Sequence, residues 1–345
     1  MKLIRFGILG CANIVNRSVG FALLETSCCK LVAIASRDVH KAKEFAVRFH
    51  CEYEESYDAL LRREDIDAVY IPLPDGLHKE WVIKAARAGK HIICEKSLAE
   101  SYDAVKEMVL VCRSQGVHLF ENFMVNYHPQ HQRVFSLIQS GEIGKMVLFQ
   151  GMFGCPGFDV GNIRYSKLLG GGALNDMGTY PLFMSRKLFA AEPDAVTCTL
   201  EFKGGSCEEG SCNEVGVSTD AGVDVSGSAL LEFPNHKTAL ISFGFHQFYQ
   251  NNYSMWGSEG LIRVNRAYSI PADMKPDVEL QKQGGSQRIE VDAANHFVLL
   301  ISAFCEAIGS DMKPDYSPLL LQARAMEALR RSAREGRTVR LSEIE

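Results

Sequence analysis

Leu3-Ile4-Arg5-Phe6-Gly7-Ile8-Leu9-Gly10 is a short apolar run that ends on glycine and passes into a segment with apolar residues at Ile14, Val15, Val19, Ala22 and Leu23. That spacing predicts strand, glycine turn, helix. The turn Gly7-Ile8-Leu9-Gly10-Cys11-Ala12-Asn13-Ile14 is a Gly-x-x-Gly-x-Ala variant of the dinucleotide fingerprint. Taken alone it is a weak signal, because glycine turns between strand and helix serve many folds. Its place after the first strand gives it meaning: the helix amides and dipole can hold a pyrophosphate, and Gly10 and Ala12 let the backbone approach closely.

Working outward, the pattern repeats. Leu31–Ala35, Ala68–Ile71, His91–Cys94 and Val117–Phe120 read as strands, and Lys41–Phe49, His78–Ala88 and Tyr102–Arg113 as helices between them. Strands apolar throughout and separated by helices indicate a parallel sheet covered on both faces. The expected fold class is α/β, with an N-terminal doubly wound Rossmann domain over residues 1–122. Ligands of such sheets sit at the carboxyl ends of the strands, so the loops beginning at Gly10, Ser36, Pro72 and Glu95 are expected to line one site.

Those loops carry unusual residues. At the end of the second strand, where an NAD enzyme usually places a carboxylate, stand Ser36 and Arg37. A guanidinium fork and a hydroxyl suit the 2′-phosphate of NADP; the neighbouring Asp38 keeps NAD possible. Leu73, Pro74 and His78 follow the Ala68–Ile71 strand, and Glu95, Lys96 and Ser97 the His91–Cys94 strand. A lysine at a strand's carboxyl end beside a dinucleotide can bind a substrate oxygen or supply a proton, whereas most loop lysines are simply solvated.

After Asn122 the periodicity changes. Val147–Phe153, Ala195–Phe202, Val223–Phe233, Thr238–Phe245 and Tyr249–Gly257 read as strands with few helices between them, so residues 123–345 are expected to form an α+β domain on a largely antiparallel open sheet. Lys203–Asp220 reads as a long Gly/Ser/Glu-rich loop. The aromatics of Phe243–Tyr249 read as core, with a sugar platform as the other possibility. Ser317–Arg334 reads as an amphipathic docking helix with Leu320, Ala323 and Leu329 on its apolar side.

Composition narrows the partners. The 345 residues carry a net charge of −5 and a pI near 6.1, without the concentrated basic surface that nucleic acid requires. The N-terminal apolar run is too short for a signal peptide and no run is long enough to span a bilayer, so a cytoplasmic protein is expected. Eleven cysteines, with Cys28 and Cys29 adjacent, read as reduced thiols. Cys207 and Cys212 lack the paired spacing of a structural zinc site, and no metal is expected.

These residues together resemble the glucose-fructose oxidoreductase and inositol dehydrogenase family, written Gfo/Idh/MocA. The likeness rests on GILGCANI at 7–14, EKS at 95–97 where the family has EKP, and GGGALNDMGTYPL at 170–182. It implies that Lys96 and Tyr180 flank the reacting carbon, with Asp176 near the nicotinamide or substrate. Serine in place of proline at 97 leaves the path of that loop open. Tyr180 stands where inositol-type members carry histidine.

Further segments, Ala33–Arg37, Tyr70–Pro74, Glu121–Met124, His128–His131 and Asn162–Tyr165, look most like the NADPH-dependent nucleotide-sugar 3-ketoreductases. The resemblance then implies that Gly7, Gly10, Cys11, Ala12, Asn13, Ile14, Ser36, Arg37, Leu73, Pro74, Glu95, Lys96 and Arg164 bind the cofactor, with His78 and Tyr57 near it. Arg17, Lys96, Asp176 and Tyr180 would meet a sugar substrate, possibly nucleotide-linked. The blander readings are a solvated helix residue for Arg17, packing for Tyr57, and a surface loop for His128 and His131. A homodimer or homotetramer through the C-terminal sheet is also implied. Two other functions remain open at this point: oxidation of a free sugar, polyol or cyclic diol, and a non-catalytic dinucleotide-binding regulator.

Overall fold

The computed structural model describes residues 3–159, 161–202, 222–310 and 313–345. The chain divides into two compact units, Met1–His128 with Asn295–Leu320 and Pro129–Ala294 with Leu321–Glu345. The segment at 295–320 therefore belongs with the first unit, which a single boundary after residue 122 does not include.

The first unit is built on a six-stranded parallel sheet of β1 (Ile4–Leu9), β2 (Cys29–Ala35), β3 (Glu52–Glu54), β4 (Ala68–Ile71), β5 (His91–Cys94) and β6 (Leu119–Glu121). Spatial order is β3-β2-β1-β4-β5-β6, so the order reverses between β1 and β4. This is the doubly wound dinucleotide arrangement, and its crevice lies outside the carboxyl ends of those two strands. β4 is buried at all four positions, Ala68-Val69-Tyr70-Ile71, as a strand covered on both faces must be.

The helices of this unit are α1 (Gly20–Glu25), α2 (Val39–Phe49), α3 (Tyr57–Leu61), α4 (Asp75–Arg87) and α5 (Tyr102–Gln115), with α8 (His296–Gly309) supplied by the later segment. α1 continues from a π-helical turn at Val15–Val19. Local chemistry sets the boundaries: Asp38 caps α2 by accepting from the His40 and Lys41 amides, Ser101 caps α5 through the Ala104 amide, and Gly116 ends α5 in the left-handed region. β3 and α3 were not expected from the pattern. β3 is a three-residue edge strand, Glu-Tyr-Glu, with no apolar face to announce it.

The second unit carries a nine-stranded sheet of order β14-β13-β12-β11-β7-β10-β9-β8-β15. Its strands are β7 (Met146–Gly154), β8 (Ala195–Phe202), β9 (Asp224–Phe233), β10 (Lys237–Gly244), β11 (Gln250–Gly257), β12 (Gly260–Asn265), β13 (Asp277–Lys282), β14 (Gly285–Ile289) and β15 (Val339–Arg340). The β7–β10 pair is parallel and the other pairs are antiparallel. Alternation puts Phe149, Ala239, Ile241, Phe243, Leu231, Tyr253, Met255, Ile262 and Val264 in the core.

α6 (Pro129–Gln139), α7 (Thr179–Phe189) and most of α9 (Ser317–Glu335) belong to this unit. The apolar stripe of α9 is rotated from the expected one: Leu319, Ala325, Met326 and Leu329 are buried, while Leu320 and Ala323 are half-buried. Gln322 lies on the buried stripe because Arg186 Nη1 donates to its amide oxygen and its amide nitrogen donates to Thr179.

The surface-loop reading of His128 and His131 is corrected. Both are fully buried. His131 lies on α6 with its ring nitrogens 2.9 Å from the Tyr253 hydroxyl and 2.9 Å from the Ala267 carbonyl, partners that let a polar ring sit in a core. Phe243 and Phe245 are core, as read, whereas Phe248 is 86% exposed. The 203–220 stretch, with Cys207 and Cys212, falls outside the described residues.

Candidate active site

In the first unit the residues singled out converge on the carboxyl ends of β1, β2, β4 and β5. Gly10 has φ +132°, a conformation L side chains rarely adopt, and a Cβ there would lie 3.0 Å from Leu73 Cδ2. The turn after β1 thus presses against the loop after β4 and leaves bare backbone facing the crevice. Residues 12–14 open the helical stretch, so their amides have no carbonyl one turn upstream and can serve an anion. Gly7, by contrast, sits inside β1 against Leu60 and Ile66 and shapes packing.

At the end of β2, Ser36 is buried and Arg37 exposed. The Ser36 hydroxyl accepts from the Asp38 amide and lies beside the Cys11 thiol. Asp38 caps α2 through its Oδ1, which gives that carboxylate a structural task. Arg37 lies beside Tyr57, whose ring is buried edge-on to Trp81 at 4.8 Å. Burial pushes the Cys11 thiol up to about 11, so it is a neutral thiol at physiological pH.

His78 is fully buried in the first turn of α4. Its Nδ1 lies 2.9 Å from the Ser97 carbonyl and its Nε2 2.7 Å from the Leu73 carbonyl, so one ring ties the loop after β4 to the loop after β5. Burial lowers its pKa, opposed by the two carbonyls. His78 is thereby a brace for the loop that carries Lys96. The Lys96–Ser97 peptide is cis.

Glu95 precedes Lys96 at the end of β5. Its Oε1 accepts from both the Tyr70 hydroxyl and Asn122 Nδ2, while its Oε2 has no hydrogen-bond partner among the described residues. Neither donor was singled out from sequence as a site residue. Arg17 is exposed on the π-helical turn and makes no hydrogen bond or ion pair among the described residues.

A glycine cradle, accessible helix amides, a basic residue at the end of β2 and an acceptor oxygen at the end of β5 fit a dinucleotide.

The second unit organises Asp176 and Tyr180. A π-helical turn, Leu174–Gly178, runs into α7. The preceding glycines are forced: Gly172 has φ +128°, and a Cβ there would lie 2.3 Å from Asp224 Oδ1. Asp224, on β9, accepts from the Leu174 amide at 2.6 Å, and Arg330 of α9 donates to Asn175 Oδ1 at 2.7 Å. Both residues escaped the sequence reading because they are distant in the chain from the motif they secure.

Tyr180 is buried, its ring 5.5 Å from Phe153 and 5.9 Å from Tyr268. Asp176 Oδ2 takes Arg164 Nε at 2.6 Å, and Arg164 lies over the Phe158 ring. The structure therefore pairs two residues that were assigned to different ligands.

Comparison with known proteins agrees with this fold. The description "Oxidoreductase family, NAD-binding Rossmann fold" matches residues 4–123, and "GFO/IDH/MocA C-terminal domain" matches residues 131–263. The chain is 38% identical to dTDP-3,4-didehydro-2,6-dideoxy-alpha-D-glucose 3-reductase of Actinomadura kijaniata, over 96% of each chain. It is 36% identical to the same-named enzyme of Saccharopolyspora spinosa, over 98% of this chain and 99% of that one. Among solved structures it resembles KijD10, a 3-ketoreductase from Actinomadura kijaniata in complex with NADP and TDP-benzene, with a TM-score of 0.88 and 36% identity over 96% of this chain and 98% of that one. With the fold, the glycine turn and full-length likeness in agreement, the chain belongs to the Gfo/Idh/MocA family of oxidoreductases.

Proposed function

We propose that this oxidoreductase uses NADPH to reduce a ring ketone of a nucleotide-linked sugar, of the 3-keto deoxysugar type. The likeness to 3-ketoreductases across nearly the whole chain is the observation that carries the substrate class. Arg37 at the end of β2 supports the phosphorylated cofactor, since its guanidinium matches a 2′-phosphate while Asp38 is occupied in capping α2.

The bound dinucleotide supplies hydride to the carbonyl carbon. Lys96, as an ammonium, stabilises the negative charge that builds on the carbonyl oxygen. Tyr180 is the proton donor, its ring held by Phe153 and Tyr268 so that the hydroxyl has little freedom. Hydride on carbon and a proton on oxygen complete the alcohol. Asp176 fixes Arg164, and Arg17 offers an exposed cation to the substrate's phosphates. Residues 12–14 and Ser36 hold the cofactor phosphates.

The same reading includes self-association through the outward face of the nine-stranded sheet. Trp256 pairs in register with Leu148 and Leu261, and Leu240 with Leu230, giving the face an apolar stripe. Trp256→Glu is expected to reduce the sedimentation mass.

The deciding experiment supplies NADPH with a dTDP-3-keto deoxysugar, and NADP+ with free aldoses and polyols. Turnover of the nucleotide-linked ketone at least about 100-fold more efficient in kcat/KM bears the reading out. Turnover of free sugars alone overturns it.

A further inference from the structure

We infer that Tyr70 and Asn122 are positioning residues that aim one oxygen of Glu95 at the nicotinamide half of the cofactor. The inference rests on the reading of Glu95 as a cofactor ligand and goes beyond it by assigning the residues that make it one.

Sheet order sets the arrangement. β5 lies between β4 and β6, and each neighbour contributes one donor: Tyr70 from β4 and Asn122 from the residue after β6. Backbone bonds hold all three in register, since the Glu95 amide donates to Ile71 O and the Asn122 amide to Cys94 O. Tyr70 and Asn122 are each 1% exposed, whereas Glu95 is half-buried. Both donors meet the same oxygen, Oε1. A carboxylate gripped by two donors on one oxygen cannot rotate without breaking a charge-assisted bond, so the direction of Oε2 is fixed as well.

That second oxygen has no partner among the described residues and belongs to the residue that precedes Lys96 at the carboxyl end of β5. A ligand hydroxyl or amide donor fills its remaining capacity. In the Rossmann crevice such donors on the nicotinamide half are the ribose hydroxyls and the carboxamide. Burial and the Glu95 charge raise the Tyr70 pKa well above its ordinary value, so it stays a donor at every working pH.

The arrangement explains two buried polar side chains, where a sheet core otherwise takes apolar ones. It also dictates what an amide at 95 must do. In Glu95→Gln the two donors select the amide oxygen for the Oε1 position and force the NH2 group into the Oε2 position, turning an acceptor toward the cofactor into a donor.

The test measures dissociation constants of NADPH and of adenosine 2′,5′-bisphosphate, which lacks the nicotinamide half, by fluorescence titration and calorimetry on the full chain. Tyr70→Phe keeps the ring and removes the hydroxyl. It is expected to weaken NADPH about 5- to 20-fold, the loss of one hydrogen bond to a charged group, and to leave the bisphosphate within about 2-fold. Asn122→Leu is expected to behave alike. Glu95→Gln should weaken NADPH as much or more, and adding Tyr70→Phe to it should cost little further, because the grip no longer presents an acceptor.

If Glu95→Gln weakens NADPH but Tyr70→Phe and Asn122→Leu do not, the positioning roles are wrong while Glu95 remains a ligand. If Glu95→Gln leaves NADPH unchanged, the reading of Glu95 itself fails. Equal loss of NADPH and bisphosphate in Tyr70→Phe marks a structural role and overturns the inference. 3-Acetylpyridine adenine dinucleotide phosphate, which lacks the carboxamide N–H, separates the two donor sources: persistence of the Tyr70→Phe effect assigns Oε2 to a ribose hydroxyl, and its disappearance assigns it to the carboxamide.

Discussion

Asp224 Oδ2 accepts a hydrogen bond from the Leu174 amide at 2.6 Å, joining β9 to the turn that leads into Asp176 and Tyr180. Burial raises the Asp224 pKa, and the amides at 173 and 174 oppose that shift. Asp224→Ala removes a helix-terminus acceptor and is expected to cost about 1–2 kcal/mol of stability, with a larger fall in kcat than rise in KM. Asp224→Asn keeps an acceptor and should retain most of both. Gly172→Ala, which drives a methyl into the same carboxylate, is expected to be worse than either, by roughly 1–3 kcal/mol from the backbone strain alone. Denaturant melts with steady-state kinetics check this; unchanged melting and turnover in Asp224→Ala would show that the bond does not position the helix.

Lys96 and Tyr180 are assigned to the chemical step, a role for Lys96 beyond its contact with the dinucleotide. Lys96→Met and Tyr180→Phe are each expected to lower kcat by about 100- to 10,000-fold, while NADPH affinity changes by only a few-fold. Stopped-flow single turnovers separate the chemical step from binding. Turnover surviving both changes together removes them from the mechanism.

The legible parts of this chain were those with local pattern. The five strands of the first half and the glycine turn were readable because a parallel sheet buries both faces of its strands and leaves continuous apolar runs. Edge strand β3 was not, and β13 was overlooked although Val278 and Leu280 alternate with polar residues. Lys96 and Tyr180 stood in recognisable motifs. Their supports did not: Asp224 lies 50 residues from the amide it holds, Arg330 lies 155 from Asn175, and Asn122 lies 27 from Glu95. Such partners are set by strand order and helix docking, which a single sequence encodes only through the whole fold. The burial of His128 and His131 went unseen for the same reason, since the partners that satisfy His131 come from the distant 253–267 segment.

Cofactor preference offers a direct check. Arg37 is exposed beside Tyr57, where a 2′-phosphate would gain a charge-assisted bidentate contact and a 2′-hydroxyl would gain little. Arg37→Ala is expected to weaken NADPH about 10- to 100-fold and to leave NADH within about 3-fold. Arg37→Asp should reverse the preference, because a carboxylate repels the phosphate and accepts from the hydroxyl. Parallel titrations with both cofactors give the ratio. Equal weakening of NADPH and NADH in Arg37→Ala would remove the phosphate-reading role.

Acid stability follows from the buried pair His128 and His296, whose ring centroids are 5.8 Å apart. Burial lowers His128 from 6.5 to about 4 and His296 from 6.5 to about 3, the latter also through repulsion by His128. Both rings are therefore neutral in the folded protein at pH values where the unfolded chain already binds protons. The sign is fixed by that difference: their contribution is complete above about pH 6.5 and is lost as pH falls toward 4 and then 3. By the bottom of the window the loss is roughly 3 kcal/mol from His128 and roughly 5 kcal/mol from His296. His296 Nδ1 has no hydrogen-bond partner among the described residues, so Leu at 296 sacrifices no bond at that atom and removes one titration. Melting temperatures at pH 7.5 and pH 5 should therefore differ less in His296→Leu than in the parent chain, even if the variant is slightly less stable at pH 7.5. An identical pH slope in the two proteins would mean that other groups set the acid limit.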